Sequence, residues 1–202
     1  DRRADAPLVR LGLLYSVGDV NMQVSNTILT VLILQTFAKG AGLIGIVDTL
    51  AGIGFVVGAG TYKWTSKWVD NIWLALLGPV GTSLMIVLEP INYVVLMVVM
   101  PVSAFCLGQG RIASRTMLTK ASPERKVGRI FGATNGFALA FAVAATVGLS
   151  VVADRVSVPA AFYGLAIVVG GTAIATVASL LRPLAVWKRQ SAKSSVPVES
   201  VS

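Results

Sequence analysis

Residues 71–88 read NIWLALLGPVGTSLMIVL and residues 93–110 read YVVLMVVMPVSAFCLGQG. Neither stretch holds a charged residue, and only Glu89-Pro90-Ile91-Asn92 separates them. A hydrocarbon core about 30 Å thick takes roughly 20 helical residues to cross. Each stretch is therefore long enough to span a membrane, and the break between them has room only for a tight turn. The same rhythm continues on either side. It predicts six spans: Leu11–Phe37, Leu43–Tyr62, Asn71–Leu88, Tyr93–Gly110, Ile130–Val152 and Val158–Leu181. The composition agrees, with 55% hydrophobic and 13% charged residues, against about 25% charged in an ordinary soluble domain. The expected fold is an all-α polytopic membrane protein in which residues 1–182 form one six-helix bundle. Residues 183–202 are Ser-rich, contain Pro183 and Pro197, and read as a disordered tail.

The loops test this independently of hydropathy. Of 17 Lys and Arg residues, only Lys39 and Arg155 fall in the loops after odd-numbered spans. The other fifteen lie in the N-terminal segment, the loops after spans two and four, and the tail. Short cytoplasmic loops collect positive charge, so both termini are expected in the cytoplasm and the chain in the cytoplasmic (inner) membrane. Trp64, Trp68 and Trp73 gather around the second loop, where an interfacial aromatic belt belongs. The net charge of +8 suits an anionic lipid surface. Nucleic acid is not an expected partner, because no basic stripe interleaved with aromatics appears.

Some chemistries are excluded at once. There is no histidine, and Cys106 is the single cysteine. No intramolecular disulfide and no Ser-His-Asp or Cys-His machinery can form, and a zinc or iron site lacks its usual ligands. Neither an enzyme, a cofactor nor a metal is expected. A phosphate-binding Gly-x-x-x-x-Gly-Lys-Ser/Thr loop is also missing from the sequence. The opening Asp1-Arg2-Arg3 reads as the start of a fragment.

Polar residues inside the spans are the candidates for function. Tyr15, Asp19, Gln23 and Asn26 share one stripe of the first span at 100° per residue. Polar groups in hydrocarbon need partners or water, so this stripe is expected to face the bundle or a wet cavity. A carboxylate such as Asp19, held away from bulk water, is suited to carry a proton. Its plainer role is a hydrated ion pair with Arg10 or a loop cation. Asp48 in the second span is either a gate residue or an interfacial residue pairing with Lys39 or lipid head groups. In the fourth span Ser103, Cys106 and Gln109 accompany Pro101. They line a cavity or bond back to their own helix. Gly54/Gly58 and Gly132/Gly136 are pairs at i and i+4 that allow close helix approach.

The loop Ser122-Pro123-Glu124-Arg125-Lys126-Val127-Gly128-Arg129-Ile130 resembles one that opens the penultimate helix of major facilitator superfamily transporters. The closer likeness is to their macrolide-efflux and siderophore-exporter branch, and Ala153-Asp154-Arg155 fits the far end of the same helix. The loop Gly60 to Trp68 resembles a degenerate copy of the family's Gly-x-x-x-Asp-Arg-x-Gly-Arg signature, as found in C-terminal halves. The resemblance implies half of a twelve-helix fold, its helices seven to twelve. Such a half works with an N-terminal six-helix partner, or here with a second copy. It implies alternating access to a central path lined by the first and fourth spans, with the second and fifth meeting the other half. It further implies efflux of a small amphipathic compound as a proton antiporter. The loop with Arg125, Gly128 and Arg129 either forms a cytoplasmic gate, its basic residues pairing with acids or helix C-termini, or serves topology alone. Against it stands a second reading, a membrane subunit or scaffold that transports nothing.

Overall fold

The computed structural model describes residues 2–121 and 127–194. Among these there is no strand, and six helices are long and apolar enough to cross a membrane. The helices are α1 (Arg2–Val31), α2 (Ala41–Thr65), α3 (Asn71–Leu88), α4 (Tyr93–Ala121), α5 (Val127–Arg155) and α6 (Val158–Ser194). A π-helical turn, Leu32–Thr36, continues α1. The chain is thus an all-α polytopic membrane protein.

All six expected spans are present, and α3 has the expected limits. The others overrun. Helix α4 continues eleven residues past Gly110, which puts Arg111, Arg115 and Lys120 on a helix and not in a loop. Helix α6 runs to Ser194, so residues 183–194 are helical where an irregular tail was expected; residues 195–202 lie outside the described residues. The reason is that hydropathy marks where hydrocarbon ends, not where helical hydrogen bonding ends. Ala, Leu, Lys and Arg, present in both extensions, are good helix formers in water too. Local caps fix several starts. Asn92 Oδ1 accepts from the Val95 N–H at 2.8 Å to open α4, and Ser157 Oγ accepts from the Ala160 N–H at 3.2 Å to open α6.

Packing follows a simple scheme. Helix α4 lies against α2 and α3, and α1 lies against α5 and α6; α3 also meets α6, and α1 meets α4. Exchanging the first three helices for the last three carries α4 on α2 and α3 into α1 on α5 and α6. The match is partial: α5 also packs on α6 and α1 touches α3, where the counterparts α2 with α3 and α4 with α6 have at most marginal contact. The result is a front row in the order α2, α4, α1, α5, with α3 and α6 behind. Glycines bring backbones together on one side of it. A methyl group at Gly54 would lie 2.8 Å from Pro101 Cα, and one at Gly58 2.9 Å from Phe105 Cα. Gly78 and Gly110 face each other across α3 and α4. This is the dense, small-residue packing by which membrane helices associate. On the other side, Val20, Val24 and Ile28 of α1 pack with Ala138 and Ala142 of α5 and Phe162, Leu165 and Val169 of α6.

The two back helices are joined by Ser83, whose hydroxyl donates to the Ala166 carbonyl at 2.5 Å. Ser83→Ala is expected to cost about 0.6 kcal/mol, the usual worth of such a bond between membrane helices. A denaturation series in detergent would measure it.

The turn between α3 and α4 holds an unexpected group. Glu89 is buried, and burial pushes its carboxyl up to about 7. Its unfolded value is 4.5, so the native state holds the proton more tightly. Stability is therefore fully present below pH 4.5 and falls as pH rises through 7. The total loss is about 3 kcal/mol. Glu89→Gln should abolish most of this slope and leave the variant the more stable at pH 8, as read from melting midpoints across pH.

Candidate functional site

The end of the bundle that carries the N-terminus has its own small core, in which Tyr15, Leu74, Ala113 and Leu118 are buried together. Above it, α1 and α4 meet through charge. Arg111 Nη2 lies 2.6 Å from Asp19 Oδ1, and both side chains are partly buried. Arg111 Nη1 also approaches Met22 Sδ at 3.6 Å, and the guanidinium sits 6.0 Å from the Tyr15 ring centroid. The Tyr15 ring in turn packs edge-on against Phe131 of α5 at 5.6 Å. Tyr15, Asp19 and Met22 are spaced i, i+4 and i+7, so one face of α1 holds one cation of α4. Neither charge is well accommodated in hydrocarbon alone. Together they make a neutral pair, with a cation–π contact adding to it.

Beyond the pair, the same face of α1 stays polar and turns outward. Gln23, Asn26, Thr27 and Thr30 are all exposed. The Thr27 and Thr30 hydroxyls donate to the carbonyls of Gln23 and Asn26. The amides of Gln23 and Asn26 make no hydrogen bond within the described residues, so they are free to meet water or a ligand. Helix α5 beside this face, and α2 beyond α4 on the other side, each carry exposed small residues. On α5, Gly132, Gly136, Ala140, Ala144 and Gly148 recur every fourth residue and are exposed. On α2, Gly42, Gly45, Gly52 and Gly60 are exposed, and a methyl group at any of them would meet nothing within 4 Å.

Several expected site residues are placed elsewhere. Asp19 pairs with Arg111 of α4, and the side chain of Arg10, one of its expected partners, lies outside those described. Asp48 is exposed on α2 and forms no ion pair among the described residues. Lys39, its expected partner, instead sits 4.6 Å over the Tyr93 ring. Ser103 is buried between α3 and α4, where its carbonyl accepts from the Thr82 hydroxyl at 3.3 Å. Gln109 is buried against α2. Its Nε2 donates to Thr61 Oγ1 at 2.8 Å and Thr65 Oγ1 at 3.3 Å, while its Oε1 has no partner. Both threonine hydroxyls already donate to carbonyls one turn back, which fixes this orientation of the amide. Neither Ser103 nor Gln109 thus shares the face of Asp19. The contribution of α4 to that face is Arg111.

The glycine pairs divide. Gly54 and Gly58 are consumed inside this bundle by α4, whereas Gly132 and Gly136 face open space. Of the gate loop, Arg125 lies outside the described residues, and Gly128 and Arg129 are exposed on the first turn of α5. Arg111 was missed because it was counted as a loop residue. The signal was available: it lies eighteen residues after Tyr93, about 27 Å at 1.5 Å per residue and still within a bilayer core. No family model, no curated protein and no solved structure matches this chain.

Proposed function

We propose that the chain is a six-helix half of an alternating-access secondary transporter of the major facilitator kind. The observation that carries this is the outward-facing polar stripe of α1, from the Asp19–Arg111 pair through Gln23 and Asn26, set in an otherwise apolar bundle. A membrane helix with no use for water does not present two unbonded amides and an ion pair on one exposed face. Two further features support the reading. The main helix neighbours are kept when the two sets of three helices are exchanged, α4 on α2 and α3 becoming α1 on α5 and α6, in line with inverted three-helix repeats. The exposed small residues of α5 beside the polar stripe, and of α2 beyond α4, are suited to close packing against a second bundle.

In this reading the substrate path runs between the α1/α4 face and a second six-helix unit, either an N-terminal half or another copy. The termini are cytoplasmic, and Asp19 exchanges a proton in step with the export of a small amphipathic compound. Arg111 neutralises Asp19 when the carboxylate is charged and is released toward water when Asp19 is protonated. The test is accumulation of the lipophilic cation ethidium in a host stripped of its own efflux pumps. Expression of the complete gene product should lower accumulation, a protonophore should restore it, and Asp19→Asn should behave as the empty vector. Unchanged accumulation for a panel of such dyes would favour the scaffold reading. Blotting the native product separates the two kinds of partner. A band at 21.1 kDa requires a second copy, and one of about twice that mass requires a fused half.

A further inference from the structure

The exchange of three helices for three pairs the packing of α4 on α2 and α3 with that of α1 on α5 and α6, but the two are not closed alike. Where α2, α3 and α4 meet, Gly54, Gly58, Gly78 and Gly110 let backbones touch. Where α5, α6 and α1 meet, no glycine serves that purpose, and a cavity of about 220 Å³ remains. Its floor is Ser16 and Val20 of α1 and Val169 of α6, all buried. Its rim is Phe137 and Phe141 of α5 and Ala175 of α6, all exposed. The two Phe rings lie nearly parallel with centroids 6.3 Å apart, forming one wall.

The chemistry of the lining selects the occupant. Every hydroxyl in the cavity is already used. Ser16 Oγ donates to the Gly12 carbonyl at 2.9 Å, within reach of the Thr134 carbonyl as well. The Thr172 and Thr176 hydroxyls donate to the carbonyls of Val168 and Thr172. No lining group seeks a polar ligand, so the occupant is apolar. An apolar cavity of about 150 Å³ already takes up a benzene-sized guest. The rim opens sideways between α5 and α6, where the surrounding solvent is acyl chain. Arg129 is exposed on α5 eight residues before Phe137, about 12 Å toward the basic end of the bundle at 1.5 Å per residue. A cation at that height, about 80° round α5 from Phe137 and on a long flexible side chain, suits the phosphate of a lipid whose chain enters the groove.

We infer that this groove is a binding site for one acyl chain of an anionic phospholipid, from the leaflet at the basic end, with Arg129 on its head group. The inference does not depend on whether the chain transports anything. It is tested in mixed vesicles of phosphatidylcholine and phosphatidylglycerol, with one lipid at a time carrying a mid-chain diazirine. After irradiation the labelled residues are mapped by peptide mass spectrometry. Labelling at Phe137, Phe141 and residues 168–176 should exceed several-fold that at Val56 and Leu84, which are at least as exposed. Phosphatidylglycerol should label the groove about fivefold more than phosphatidylcholine, the worth of one basic residue at an anionic surface. Arg129→Gln should remove that preference. Ala175→Trp, a change at the exposed rim that leaves the floor intact, should reduce groove labelling while the other sites keep theirs. Equal labelling of all exposed apolar residues would overturn the site and leave ordinary boundary lipid. Enrichment without head-group preference would overturn the anionic assignment. A groove that neither lipid labels would mean that a second bundle or a substrate covers it.

Discussion

Gly78→Val should be among the most damaging single substitutions in the bundle, costing about 3 kcal/mol or more, at the upper end of what overpacking does in a close-packed core. Even one methyl group at Gly78 would lie 2.6 Å from Gly110 Cα and 3.2 Å from both Gly110 N and the Cys106 carbonyl oxygen. These neighbours are backbone, so no side chain can swing aside to make room. Relief requires α3 and α4 to separate, and α4 also carries the contacts of Gly54 and Gly58 with α2. One substitution therefore loosens two interfaces. The matched control is Gly136→Val on α5, where a methyl group meets nothing within 4 Å. It should fall within about 0.5 kcal/mol of the parent, like other exposed changes away from special features. Denaturation of the purified protein in one detergent decides the matter. Equal losses for both variants would show that backbone contact at Gly78 does not set stability.

Asp19→Asn should cost more than Arg111→Gln, and the double variant should cost less than either. Removing one partner of a buried ion pair leaves the other uncompensated, typically a loss of about 3–5 kcal/mol. The partial exposure of Arg111 lowers that to about 1–3 kcal/mol here. The asymmetry comes from what each survivor can do. A carboxylate left without Arg111 can take up a proton and become neutral. A guanidinium left without Asp19 stays charged at any physiological pH, held against Tyr15 and Met22 in a place built for a pair. The double variant removes both charges and with them the penalty. A double-mutant cycle in denaturant measures all three. If Asp19 couples proton movement to export, the double variant also separates fold from function: it regains stability and still fails to lower ethidium accumulation. A double variant as unstable as Asp19→Asn would mean that the two side chains do not act as a pair.

Much of the architecture was legible because hydrocarbon makes a severe demand on sequence. Eighteen uncharged residues at 71–88 and again at 93–110, with a four-residue break, leave few options other than a helical hairpin. The polar stripe of α1 was equally legible, since Asp19, Gln23 and Asn26 fall on one face at helical spacing and the structure leaves two of them exposed. The partner of Asp19 was harder to see. Arg111 follows the polar Gly108-Gln109-Gly110, which reads as the end of a span, yet the helix passes straight through it. The fate of the glycine pairs was not readable at all. Gly54/Gly58 and Gly132/Gly136 have the same spacing, and only the placement of α4 shows that one pair is buried and the other open. Glu89 was similarly opaque, because a carboxylate in a short turn looks solvated until α3, α4 and their neighbours are assembled around it.

The unequal closure of the two equivalent interfaces has a mechanical consequence. Helices α2, α3 and α4 touch backbone to backbone, so a force applied to any of them is transmitted to the other two with little give. Helices α1, α5 and α6 are separated by side chains and by a groove, and side chains change rotamer far more cheaply than backbones slide. If the bundle rocks, the first group will turn as a stiff slab. The elastic deformation will then be concentrated around α1, the helix that carries Asp19.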